Sequence, residues 1–344
     1  MKEPVRNGGR LRSVLFAALL VAVVYVLVYM PTPYILYRPG SAEEVKPMVT
    51  VQNGDKDEKG TFMMTTVSAS YPNVLMLATS YFDSNSELDK KSKRLQGNSV
   101  AEYNAQQVWY MSDSQSSAME AAYKQAGIPY SINPDYVYVF KAEGEQTVFR
   151  PGDELLSING KAVEDNNTIR TLLQGEQAGD TVSVELKRNG AKMTQTAKLV
   201  TIKDPKTGET RVGFGVSIAT VQKVEPKDPV HEIKFADTQV GGPSAGLMFT
   251  MEIYNQLTPG DLTKGYRVAG TGTIDEDGKV GEIGGIVHKI VAADREHAEI
   301  FFAPKGNYKD AAAKAKAIGS SMKVVSVSTL NDALHYMEQL PVKS

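Results

Sequence analysis

The chain has 344 residues, 42% of them apolar and 23% charged, with a formal net charge of -2. That length suits two folded modules with extra segments, and the balance shows none of the basic excess of a nucleic-acid binder. There is no cysteine, and four histidines lack ligand-like spacing, so disulfides, thiolate nucleophiles, metals and cofactors are not expected.

The first predicted element is a membrane span. No charge occurs from Ser13 to Tyr37, and Val14–Met30 is the densest apolar part. A helix rises ~1.5 Å per residue, so roughly 20 residues cross the hydrocarbon core. Pro31 and Pro33 then stop the helix. Lys2, Arg6, Arg10 and Arg12 precede it against the single acid Glu3. The positive-inside rule places that end in the cytoplasm and the remainder outside. A cleaved signal peptide is the competing reading. The apolar run exceeds the usual h-region and no small-x-small site follows, which favours a retained anchor.

Val45–Val51 and Thr61–Ser68 read as strands, separated by Asn53-Gly54 and the charged turn DKDEKG. Residues 71–111 carry little periodicity. Ser112–Ala126 is predicted helical and is stopped by Gly127. Residues 135–202 form a β-rich unit: Tyr136–Phe140 alternates, Arg150–Asp153 is a turn, and Glu154–Ile158 is a strand closed by Asn159-Gly160. A short helix over Asn166–Leu173 and strands at Thr181–Lys187 and Lys192–Leu199 complete it.

Gly241–Gly246 reads GGPSAG. A helix is expected over Pro243–Leu257, with Gly242 as its cap and Pro243 at the first position. Ser244 then stands beside free N–H groups that suit a developing oxyanion. Taken alone, a serine there is more often a plain cap. The histidines offer it no convincing base. Lys289 is the better candidate, in EIGGIVHKIVAA (Glu282–Ala293). Its helical neighbours Gly285, Ile286, Ala292 and Ala293 are small or apolar, which desolvates an ammonium group. Lowering its pKa from about 10.4 to the 7–8 a general base needs corresponds to about 4 kcal/mol. An isolated lysine is ordinarily a snorkelling surface residue.

Two resemblances follow from these motifs. FRPGDELLSINGKAV (Phe149–Val163) resembles the PDZ signature, which implies a module that adds an extended peptide to a sheet edge. The carboxylate-binding Gly-Leu-Gly-Phe loop of that family is not visible. GGPSAG, then Thr271-Gly272, then IGG-x-x-x-K resembles the proteolytic domain of the Lon family. That resemblance implies Ser244 as nucleophile, Lys289 as general base and Thr271 as a hydrogen-bond partner of Lys289. Strands at Ala298–Pro304 and Lys323–Val327 and helices at Asn307–Ile318 and Leu330–Glu338 suit the end of such a domain. Gly241 stands where Lon proteases commonly carry an acid. GTIDEDGKV (Gly272–Val280) fails as a P-loop, because its glycine spacing is too long and Val280 replaces the Mg²⁺-binding hydroxyl residue.

The whole layout resembles the membrane-anchored, PDZ-containing Lon-like proteases of Gram-positive bacteria. It implies an α+β chain with one N-terminal transmembrane helix and a PDZ-like domain inserted into or preceding a Lon-type α/β proteolytic domain. The expected parts are a cytoplasmic stretch at 1–12, an anchor at 13–36, protease at 37–127 and 204–344, and the PDZ unit at 128–203. The implied activity is ATP-independent limited proteolysis of extracytoplasmic peptides or proteins, with polypeptide recruited by the PDZ unit and lipid met by the N-terminal helix. A homo-oligomer is compatible with the family. The alternative is a membrane-tethered PDZ scaffold with an inactive protease fold.

Overall fold

A computed structural model describes residues 8–55, 57–142, 147–203, 208–236 and 240–343. Lys2 and Arg6 of the basic flank, and Lys56 of the charged turn, lie outside the described residues. The chain divides into two units, residues 1–40 with 67–97, and residues 41–66 with 98–344.

In the first unit the helix Gly8–Tyr29 contains Leu11–Tyr29, a stretch long and apolar enough to cross a membrane. After it, Tyr34–Tyr37 pairs antiparallel with Glu87–Lys90. A short helix, Val74–Ser80, is capped by Asn73, whose side chain accepts from the Met76 N–H at 2.8 Å.

The larger unit holds a parallel sheet and a β-rich module. The sheet runs Lys323–Val327, Ile300–Pro304, Arg267–Gly270 and the start of Thr61–Ser70, each neighbouring pair parallel. Helices cover both faces, which is why these strands are nearly continuous apolar runs. Phe62, Met64 and Phe302 point into one core with Leu247, Phe249 and Met251. Met63, Phe301 and Ala303 point the other way, onto Ile286, Ile290 and Ala311. The strand's two-residue period thus divides one sequence between two cores.

The β-rich module takes its strands in the order Val216–Pro226, Tyr130–Ala142, Glu154–Ile158, Thr181–Arg188 and Ala191–Lys198. Its outermost strand, Val216–Pro226, lies beyond the expected limit at residue 203 and pairs along Tyr130–Ala142. Asp153 of the Pro-Gly-Asp turn is fully buried. It accepts from Arg188 Nε and Nη2, each at 2.7 Å, and from the Arg150 N–H at 2.8 Å. This bidentate pair pins the turn to the strand opposite.

The helix expected over 112–126 begins twelve residues earlier and spans Val100–Ala126. Ser99 and Glu102 form a reciprocal capping box at its start. One side of this helix meets the β-rich module: Trp109 stacks on Phe140 with centroids 5.5 Å apart, and Ser116 Oγ donates to Gln222 O at 3.2 Å.

Candidate active site

Residues 243–245 form a turn, and the helix they lead into is Gly246–Leu257, with Ala245 as cap. This corrects the expected helix start at Pro243. Ser244 sits before the helix because its carbonyl turns aside: Thr271 Oγ1 and Gly272 N both donate to it at 2.9 Å. The Leu247 N–H in turn donates to Gly272 O at 3.1 Å. The segment leaving the Arg267–Gly270 strand therefore grips the serine turn from below.

The long Val100–Ala126 helix holds it from the side. Gly242 N donates to Gln107 O at 2.9 Å, and Ser114 Oγ donates to Pro243 O at 3.1 Å. A Cβ at Gly246 would lie 2.9 Å from Ser114 Oγ and 3.0 Å from Ile274 Cγ2, so that position admits little beyond hydrogen. A Cβ at Gly241 would lie 3.0 Å from Gln107 Cβ, so a side chain there requires Gln107 to give way by a few tenths of an ångström.

Lys289 reaches the same point from the opposite face of the sheet. Its helix, Ile286–Arg295, starts at Gly285 in the left-handed region, φ 71°. The Lys289 side chain crosses beneath the strand ends, and Nζ lies 2.9 Å from Ser244 Oγ. Nζ also donates to the main-chain carbonyl of Thr65. Lys289 is 3% exposed, whereas Ser244 is only partly buried. The serine is thus partly accessible while the amine behind it is dry. Burial alone lowers the lysine from 10.5 to about 7.

Among the described residues, Thr271 and Lys289 each hydrogen-bond elsewhere rather than to one another as expected. Thr271 Oγ1 donates to the serine carbonyl, and the amine takes the Thr65 carbonyl as its acceptor. A main-chain acceptor has no residue-type signal, so Thr65 was not identifiable from sequence. Among the described residues, the Ser244 and Ala245 N–H groups donate to no main-chain carbonyl. No cluster of metal-binding side chains occurs among the described residues.

A second ionisable group is buried on the serine's helix. Glu252 is fully buried; its Oε1 accepts from Gln256 Nε2 at 2.6 Å, and Oε2 has no partner among the described residues. Burial, then the Glu58 carboxylate, raises it from 4.5 to about 7, partly offset by Gln256 and Lys46. Between those values the folded chain holds a proton that the unfolded chain has lost, so stability falls as pH rises from 4.5 to 7. Glu252→Gln is expected to flatten that slope and raise the melting temperature at pH 8. Scanning calorimetry of both proteins at pH 5 and pH 8 checks this, and an equal decline in the two would exclude Glu252 as its source.

A serine hydroxyl before a helix is thus backed by a desolvated amine at the carboxyl ends of parallel strands. Residues 168–339 match the Lon protease (S16) C-terminal proteolytic domain, and residues 135–199 match the PDZ domain. The chain belongs to the Lon S16 proteolytic-domain family, with a PDZ domain preceding the proteolytic part. The Lon protease of Neorickettsia sennetsu is 34% identical over 99 residues, 29% of this chain and 12% of that protein. The Lon protease of Trichlorobacter lovleyi is 35% identical over 102 residues, again 29% and 12%. The match thus spans about an eighth of those relatives. The PDZ domain of the SdrC-like protein from Listeria monocytogenes is 25% identical, covering 24% of this chain and 87% of that one, with a TM-score of 0.21.

Proposed function

We propose that the chain is a membrane-anchored, ATP-independent serine endopeptidase that cuts extracytoplasmic peptides or proteins, with Ser244 as nucleophile and Lys289 as general base. The observation that carries this reading is the 2.9 Å approach of a buried lysine Nζ to the Ser244 hydroxyl. Once neutral, the amine keeps a lone pair for the serine proton while one N–H stays on the Thr65 carbonyl. Ser244 Oγ attacks the scissile carbonyl, and the Ser244 and Ala245 N–H groups hold the oxyanion. Lys289 hands the proton to the leaving amine. Water then repeats the sequence on the acyl-enzyme. Thr271 acts as a positioning residue by fixing the serine carbonyl.

In this reading residues 1–12 are cytoplasmic, 13–36 form the anchor, 37–127 and the chain after Pro226 form the protease, and 128–226 form the PDZ unit, extended past residue 203 by the Val216–Pro226 strand, which recruits extended polypeptide. The apolar length of Leu11–Tyr29 and the basic residues before it support the anchor. Independence from ATP rests on the Gly272–Val280 segment, which is a hairpin: Thr273–Ile274 pairs with Val280–Gly281.

The test is full-length protein in vesicles, incubated with secreted and membrane proteins of the same cell, with new termini read by mass spectrometry. Ser244→Ala is expected to lose the cuts by at least ~10³-fold while staying folded, and ATP is expected to change nothing. Intact biological function in Ser244→Ala would favour the tethered PDZ scaffold instead.

A further inference from the structure

The first unit carries a second apolar surface beside the outer end of the N-terminal helix. Tyr71 is 46% exposed, Leu75 47%, Tyr81 82% and Phe82 93%. These residues bracket and include the Val74–Ser80 helix, sequence VLMLATS. Large apolar side chains this exposed in one short segment mark a contact surface rather than scattered exposure.

The segment is tied to the end of the span. Asn73 Nδ2 donates to the Val28 carbonyl at 2.8 Å, Pro31 and Asn73 form a β-bridge, and Thr32 Oγ1 donates to Pro72 O at 2.6 Å. Val28 is the penultimate residue of the apolar stretch Leu11–Tyr29. Tyr25 and Tyr29 stack there at 5.4 Å, as suits the boundary between hydrocarbon and headgroups. The Val74–Ser80 helix therefore begins at the depth where the span leaves the apolar layer.

A basic cluster lies at the same level. Lys91 N donates to Pro33 O at 2.9 Å, and Lys90 pairs in register with Tyr34. Lys91 Nζ stands 4.9 Å from the Tyr71 ring centre, and Arg94 lies 5.9 Å from that of Tyr37. Lys93 is engaged with Asp89 at 3.4 Å. Aromatic and aliphatic side chains flanked by lysine and arginine are the pattern of a helix lying in a lipid interface.

We infer that Tyr71–Phe82 lies in the outer membrane interface beside the anchor, with Lys90, Lys91 and Arg94 set against anionic lipid headgroups. This rests on the anchor reading of the N-terminal helix. The occupant is the bilayer itself, because the surface is continuous with the span through Asn73, Pro31 and Thr32. The contact would hold residues 67–97 of the first unit at a fixed height at the membrane surface.

The cysteine-free chain allows single-site labelling of the full-length protein. Phe82→Cys, Tyr25→Cys and Lys192→Cys, each carrying a nitroxide, are reconstituted into phosphatidylglycerol-containing and pure phosphatidylcholine vesicles. Oxygen accessibility by electron spin resonance reads depth. The expected result is lipid-like accessibility at 82 and 25, water-like accessibility at 192, and shallower immersion of 82 without phosphatidylglycerol. The triple change of Lys90, Lys91 and Arg94 to Gln is expected to reproduce that shallower position. A lipid-like signal at 25 with a water-like one at 82 would overturn the inference and leave the anchor standing. Water-like signals at both would sink the anchor reading and this contact with it. Equal depth at 82 in both lipids would overturn the assignment of the basic cluster.

Discussion

Lys289→Met is expected to abolish peptide hydrolysis and, at pH 6, to make the protein more stable. The lowering of this lysine from 10.5 to about 7 corresponds to roughly 5 kcal/mol of unfavourable burial of the charge. Between pH 7 and 10.5 the unfolded chain holds a proton that the folded chain has released. Stability therefore rises with pH across that window, and the burial penalty is fully present below it. Methionine removes the penalty but strips the Thr65 carbonyl of a donor, at a cost of about 1–3 kcal/mol. The net gain expected at pH 6 is about 2–4 kcal/mol, shrinking to nothing or reversing near pH 10.5. Denaturant unfolding at the two pH values measures it. A variant no more stable than wild type at pH 6 would mean that the amine is not stored at a cost. In the wild type, kcat/KM should fall tenfold per pH unit below about 7, as protonation removes the base. Glu252 titrates in the same range, so the limb must survive in Glu252→Gln for it to belong to Lys289.

Asp153→Ala is the second large effect, and it falls on stability rather than chemistry. Arg188 is left with a partly buried guanidinium whose only remaining described partner is the Val148 carbonyl at 2.9 Å. Removing one member of a fully buried pair costs about 3–5 kcal/mol, which is the upper bound for this partly exposed one. Trp109, the single tryptophan, stacks on Phe140 and reports the edge of this module by fluorescence. An early fluorescence transition is expected in Asp153→Ala. The double variant Asp153→Leu with Arg188→Met should recover most of the loss, since no charge is then stranded. An unchanged midpoint in Asp153→Ala would show that the turn does not depend on the pair.

Local pattern was enough for much of the molecule. The uncharged run after Ser13, the Asn159-Gly160 turn and the C-terminal strands and helices announce themselves by length, turn chemistry and period. The Val100–Met111 half of the long helix did not, because its apolar positions are divided: Ala105 and Trp109 serve a sheet from elsewhere in the chain, Met111 joins another core and Val108 is exposed. The strand Tyr34–Glu44 was hidden by Pro39 and Gly40, which read as a break when no partner strand is known. Residue type and context single out Ser244 and Lys289, which the fold brings to 2.9 Å from each other. The Thr65 carbonyl and the true acceptor for Thr271 are not singled out, since main-chain oxygens are identical at every position and only the fold selects one.

The Val100–Ala126 helix is about 40 Å long at 1.5 Å per residue. Its Gln107 and Ser114 carry the turn that bears Ser244, and its Trp109 and Ser116 are fastened to the sheet of the PDZ module. These attachments interleave within ten positions of one rigid rod, too closely to tilt separately. Whatever load a docked polypeptide puts on that sheet is therefore borne by the same beam that sets the aim of the hydroxyl.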